Sequence, residues 1–201
     1  LGVGMVARAT WTKRFDLLVN TVSRSIRKYL TLSPGVSKRR FRRSEVALKE
    51  MQVTNALTVD VEDYFHVSAF ADVIQPDSWV SLESRVEQNT GKLLEIFDGA
   101  SVSATFFVLG WVAERFPQLV QEIIDNGHEL ACHGFSHQLI YKQSKSVFRE
   151  ETIKAKQLLE DISGAAVAGY RAASYSITKN SLWALDVLVD AGFDYDSSIV
   201  P

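Results

Sequence analysis

The sequence predicts an α/β domain of parallel strands covered by helices. From Met51 onward strand-like and helix-like segments alternate, and the residues with most chemistry fall just past the carboxyl ends of the strands. The first strand is read in "NALTVDV" (55–61), a β-branched run ending in acids. A helix follows over 81–99, with Leu82, Val86, Leu93 and Phe97 in helical phase and Gly99 closing it. "VSATFFVLG" (102–110) reads as a buried strand, and 114–127 as a helix with Pro117 in its first turn and Gly127 past its end. The next strand is "HELACH" (128–133), followed by a long helix over 144–164. "VAGYRA" (167–172) is a fourth strand, 178–192 a helix, and "FDYDSSI" (193–199) a fifth strand.

A chain of 201 residues, 46% apolar and 23% charged, can bury one good core, so a single globular domain is expected. The formal charge of -2 hides a division. Residues 1–50 hold twelve Lys/Arg against three Asp/Glu, which leaves ten against twenty-one in residues 51–201. Residues 1–50 are a basic leader, with Trp11, Phe15, Leu18, Val22, Ile26 and Leu30 at helical steps, then Pro34-Gly35 and "SKRRFRR". A flexible or non-native extension is the plainer reading of it, and contact with a membrane surface the weaker one. With no interleaved aromatics beyond Phe41, nucleic acid is not an expected partner. No apolar run approaches the roughly 20 residues a bilayer span needs, and no export signal is visible, so the compartment stays open between cytoplasm and envelope. The lone cysteine, Cys132, excludes an internal disulfide framework.

Two clusters carry the chemistry. Asp60, Glu62 and Asp63 follow the first strand in "TVDVEDYF", and His133 and His137 follow the third in "GHELACHGFSH". Arg171 and Ser174 follow the fourth. The carboxyl ends of parallel strands converge on one face, so residues far apart in sequence meet there. Neutral imidazoles with carboxylates are what a divalent cation with an open coordination position requires, and that is a hydrolase's inventory. A His pair four apart is often a coincidence on a surface helix, but Gly134 between them disfavours helix. Strand alternation places Asp60 and Glu62 on the same face, with Asp63 already in the loop, which favours Glu62 over Asp63 as a metal carboxylate and leaves both in view.

The blocks "ALTVDVEDYF", "ATFFVLGWVAERFPQLV", "GHELACHGFSH", "GYRAASYSI" and "DYDSSIVP", in this order, resemble the NodB-type polysaccharide deacetylases of carbohydrate esterase family 4, closest to the branch associated with exosortase and exopolysaccharide loci. The likeness covers residues 51–201 and none of the leader. It implies a distorted, incomplete (β/α) barrel and metal-dependent hydrolysis of N-acetyl groups on a polysaccharide. By the resemblance, Asp60 is the catalytic base, Glu62 or Asp63 the metal carboxylate, His133 and His137 the other ligands, and Arg171 the residue that holds the base. The backbone near Ser174 and Tyr175 lies where such proteins line the substrate groove. Zinc is the expected cation, with cobalt or nickel as alternatives.

The chain departs from the family pattern in three places. Val61 and Glu62 separate two aspartates that are often adjacent, Gly134 stands where Ser or Thr is frequent, and Ala173 where proline is. The family's late leucine-histidine element, which supplies a general acid, falls beyond Pro201. The chain is therefore expected to be a fragment, truncated at the C-terminus and by itself inactive. Two other readings compete: an amidohydrolase of small linear or cyclic amides on the same fold, and a non-catalytic carbohydrate-binding or scaffold domain that keeps the metal.

Other conspicuous residues have plainer roles. His128 is expected to fix a turn through hydrogen bonds, while His66 stands between a structural role and a place bordering the site. Cys132, facing away from His133 in an extended segment, reads as a small buried thiol. Asp194 and Asp196 are read as loop structure or groove wall, and Phe106, Phe107, Trp111 and Trp183 as core.

Overall fold

The computed structural model describes residues 56–199; the leader, with its expected helix, lies outside the described residues. Five strands, β1 (Thr58–Val61), β2 (Thr105–Val108), β3 (Glu129–Cys132), β4 (Gly169–Tyr170) and β5 (Tyr195–Asp196), lie side by side in sequence order. Every neighbouring pair is parallel. A strand order that never reverses is that of a (β/α) barrel rather than a doubly wound sheet, and the five strands form an open arc of such a barrel. The connections carry helices α1 (Val86–Ala100), α2 (Gly110–Arg115), α3 (Pro117–Asp125), α4 (Lys145–Ser163) and α5 (Trp183–Asp190).

The register sorts the side chains by face. Val59, Phe106 and Leu130 are paired across β1 to β3, and Cys132 is paired with Tyr170. All of these are buried and share one cluster with Leu94, Val120, Ile123, Ala155, Leu159 and Val187 from the helices. The alternate positions, Thr58 and Asp60 of β1 and Phe107 of β2, turn to the opposite face. Phe106 and Phe107 are both fully buried, so β2 is covered on both sides, as a continuous apolar strand should be.

Several boundaries differ from the sequence reading. Leu82 precedes α1 instead of lying in it, and Gly99 lies inside the helix. The cap is Ser101, at φ 52°, whose N–H returns to the carbonyls of Asp98 and Phe97. The expected helix over 114–127 is two helices. Pro117 opens α3, but the residue before a proline is kept out of the helical region, and Phe116 (φ -128°, ψ 59°) breaks α2 from α3. The fourth and fifth strands are only two residues each, because the chain leaves the sheet to build loops on its carboxyl edge. Among the described residues no helix is long and apolar enough to cross a membrane.

Since Phe106 has no exposed surface and sits between Phe97 and His128, Phe106→Ala should cost about 3–5 kcal/mol, read as a lowered urea midpoint. A loss below about 1 kcal/mol would contradict this placement of the core.

Candidate functional site

Arg171, the first residue past β4, links the early acids to the histidine loop. Its Nη1 donates to Asp60 Oδ1 at 2.7 Å and to Thr58 Oγ1 at 3.1 Å, and its Nη2 donates to Ser197 Oγ at 2.9 Å. The guanidinium lies 4.0 Å over the Phe107 ring, and the residue is 6% exposed. Five donors in a rigid plane suit this work, which a lysine could not reproduce. The Arg171 carbonyl accepts from His133 Nδ1 at 2.8 Å. A carbonyl can only accept, so the proton sits on Nδ1 and the Nε2 lone pair of His133 is free.

The histidine loop is held by backbone contacts. Gly110 and Trp111, at the start of α2, donate to the carbonyls of Gly134 (2.8 Å) and Phe135 (3.0 Å). Gly134 is at φ +77°, and a Cβ at Gly110 would run into the Phe135 ring, so glycine is required at both. His137 itself is left-handed, at φ 52°, and so are Ser174 (φ 49°) and Tyr175 (φ 52°). Such conformations cost on the order of 1–3 kcal/mol each, and three of them at one carboxyl edge mark loops whose geometry is set by surrounding contacts.

Glu62, His133 and His137 converge: one ligand atom from each lies within 4.8 Å of the others. His137 Nε2 is 2.9 Å from Glu62 Oε2, yet neither that oxygen nor His137 Nδ1, both buried, has a hydrogen-bond partner. Two buried polar atoms this close need a proton or a cation between them. Two imidazoles and one carboxylate also match the donor set of a divalent site with open positions, so the residues fit such an ion. Burial would raise the Glu62 carboxyl, but the contact with His137 outweighs it and holds the group below its ordinary value. Burial lowers His133, which keeps its ring neutral and able to ligate.

Asp63, the other carboxylate considered for the metal, is not in this cluster. Its Oδ2 accepts from Ser84 Oγ (2.7 Å), Arg85 N (2.8 Å) and Val86 N (3.2 Å). Helix α1 begins after Arg85, which makes no side-chain cap of its own, so Asp63 caps it from more than twenty residues upstream. Asp60 stands beside the cluster, with Oδ1 committed to Arg171.

Ser174 and Tyr175 are exposed at the rim. Ser174 Oγ lies 3.0 Å from Ser68 Oγ, and the Tyr175 ring lies 5.6 Å from the Arg171 guanidinium. His66 is buried, with Nδ1 accepting from Asp63 N at 2.8 Å and its ring packed among Phe65, Trp79 and Trp111. Burial pushes it down to about 4. His128 Nδ1 accepts from Ala104 N at 3.3 Å, in the turn position expected of it. Cys132 is fully buried, its thiol pushed up to about 12. Asp196 takes the N–H and hydroxyl of Ser198, which in turn accepts from Ala172 N, so it builds a loop. Thr58 and Ser197 escaped the sequence reading. Ser197 carried one signal, its position past the fifth strand, whereas a threonine within a strand carries none.

The sequence profile described as polysaccharide deacetylase matches residues 74–195, more than half of the chain. The chain belongs to the polysaccharide deacetylase family. It is 35% identical over 98 residues to the peptidoglycan-N-acetylglucosamine deacetylase of Bacillus cereus, a match covering 48% of this chain and 36% of that one. It is 29% identical over 109 residues to the peptidoglycan deacetylase of Helicobacter pylori, covering 54% and 36%. The fold overlays on a solved Mycobacterium smegmatis protein assigned as a polysaccharide deacetylase, with a TM-score of 0.59 and 26% identity over 72% of this chain and 50% of the other. The match spans about a third of the length of these curated deacetylase relatives.

Two outcomes follow for this deacetylase fold. Asp63→Ala should cost about 2–3 kcal/mol by urea unfolding, because it uncaps α1, while zinc affinity changes less than about twofold. A lost zinc site with intact stability would return Asp63 to the ligand set. His66 is neutral in the fold and charges near 6.5 when unfolded, so its contribution is present above pH 6.5 and is lost as pH falls toward 4. The metal-free protein should lose about 3 kcal/mol over that window, and His66→Gln should flatten the loss. A pH slope unchanged by the substitution would contradict the neutral buried ring.

Proposed function

We propose that the protein is a metal-dependent hydrolase that removes N-acetyl groups from N-acetylhexosamine units of a polysaccharide, with Glu62, His133 and His137 as ligands of one divalent cation and Asp60 as the base. The observation that carries this reading is the convergence of those three ligands beside an aspartate clamped by Arg171. Zinc is the expected cation, with cobalt or nickel acceptable to the same donors. When bound, such a cation lowers the pKa of water to roughly 7 and polarises an amide carbonyl.

The chain's own residues supply the rest. Asp60 Oδ1 is held by Arg171, which leaves Oδ2 to take a proton from the attacking water. The Arg171 carbonyl fixes the His133 tautomer, so one residue aligns base and ligand. Ser174 and Tyr175, exposed at the rim, meet the sugar chain. A metal-holding scaffold has no use for a carboxylate kept outside the ligand set and gripped by a buried arginine, and this favours catalysis over a binding role.

The Bacillus cereus and Helicobacter pylori relatives are named as peptidoglycan deacetylases, and peptidoglycan is an N-acetylated sugar polymer, which supports the substrate class. Within it we favour an exopolysaccharide substrate, on the likeness of the five motif blocks taken together in their order. We take residues 51–201 as part of the deacetylase domain and residues 1–50 as a separate basic leader.

The full-length protein should release acetate from N-acetylglucosamine oligomers, and a chelator should abolish release. Asp60→Asn should lower it by at least about 10²-fold without loss of zinc. Release insensitive to both treatments would overturn the mechanism, and release from small amides alone would overturn the polysaccharide reading.

A further inference from the structure

Behind the histidine loop lies a cavity of about 10 Å³, lined by His137, Gln143, Glu151, Thr152 and Tyr170 among others. Three of these residues carry a buried polar atom with no hydrogen-bond partner: His137 Nδ1, Gln143 Oε1 and Thr152 Oγ1. Buried polar atoms are satisfied in the great majority of cases, so three around one small cavity call for a shared partner. The volume is that of one water, and a buried water typically makes about three hydrogen bonds.

The donors and acceptors also balance. With the Nε2 lone pair of His137 given to the cation it shares with Glu62, the ring proton belongs on Nδ1, which donates. Gln143 Nε2 donates to the Gln138 carbonyl at 2.9 Å, and this fixes the amide so that Oε1 remains an acceptor. The Thr152 hydroxyl, 1% exposed and beside the Tyr170 hydroxyl, has a lone pair with which to accept from the water. Glu151 is already engaged by the Ser136 hydroxyl, at 2.7 and 2.8 Å to its two oxygens. The contrast with His133 is direct, since that ring is anchored by a backbone carbonyl and His137 is not.

We propose that a single ordered water in this cavity accepts from His137 Nδ1 and donates to Gln143 Oε1 and Thr152 Oγ1, and that Gln143 and Thr152 are thereby positioning residues for the His137 ligand. The water takes the place of the carbonyl or carboxylate that ordinarily orients a ligating imidazole. It also holds His137 in its left-handed backbone conformation, since the ring is pinned from both ends. The inference rests on the metal reading above and adds to it the groups that aim one ligand.

The test combines a high-resolution crystal structure of the zinc-loaded protein with zinc titration against a competing chelator and thermal melting of the metal-free form. The expected results are water density within hydrogen-bond distance of all three atoms, zinc affinity lowered about tenfold or more in Thr152→Val, and wild-type affinity in Thr152→Ser. The metal-free Thr152→Val should melt below wild type, because it strands the water; without a water, removing an unpaired hydroxyl would raise the midpoint. A cavity free of density in zinc-loaded crystals, or a folded Thr152→Val with wild-type affinity and a raised midpoint, would overturn the inference while leaving the metal reading intact. A wild type that binds no zinc would overturn both.

Discussion

The buried guanidinium of Arg171 is the constraint on which the rest of the site depends. It lies at the carboxyl end of β4, reaches across the sheet to Asp60 on β1, and packs over Phe107 of β2, one of the two strands between. Removing only one partner of such a pair would leave a buried charge without compensation, at a cost of about 3–5 kcal/mol. Its carbonyl meanwhile fixes the imidazole of His133. The first strand, the third and the fourth are therefore registered to one another by a single residue, which holds Asp60 and His133 at once.

The fold made this economical. A parallel sheet whose strands follow one another in order brings every carboxyl end to one edge, and the loops there leave the strands early. Core-facing positions, Val59, Val61, Phe106 and Cys132, tie the sheet to the helices, while alternate positions are free for chemistry. The strain at His137, Ser174 and Tyr175 is borne by contacts around them: backbone bonds from α2 to the histidine loop, and the Ser68–Ser174 contact across the rim. Asp63 shows how closely structure and site adjoin, since one residue separates a carboxylate that caps a helix from one that faces the cluster.

Much of this was legible in the sequence because periodicity and position carry it. The order of strands and helices, the shared edge of Asp60, Glu62, His133, His137 and Arg171, and the inward thiol of Cys132 all follow from alternation and from which residues end strands. Strand geometry alone favours Glu62 over Asp63 on the site face, but what sets Asp63's surroundings is a helix start more than twenty residues away, which no local pattern encodes. Thr58 and Ser197 were missed for the same reason, as their roles exist only through Arg171. The helix break at Phe116 was readable from Pro117, whereas the cap at Ser101 was not, because serine rarely takes the left-handed conformation it adopts there.

The central claim is that Glu62, His133 and His137 close around one cation while Asp60 stays outside its coordination shell. Anomalous diffraction from zinc-soaked crystals, collected at the zinc edge, tests it most directly. The account predicts a single strong peak within about 2.0–2.2 Å of one Glu62 oxygen and of both Nε2 atoms, with Asp60 Oδ2 beyond bonding distance. A peak coordinated by Asp60 or Asp63 in place of Glu62, or no peak among these residues, would contradict it.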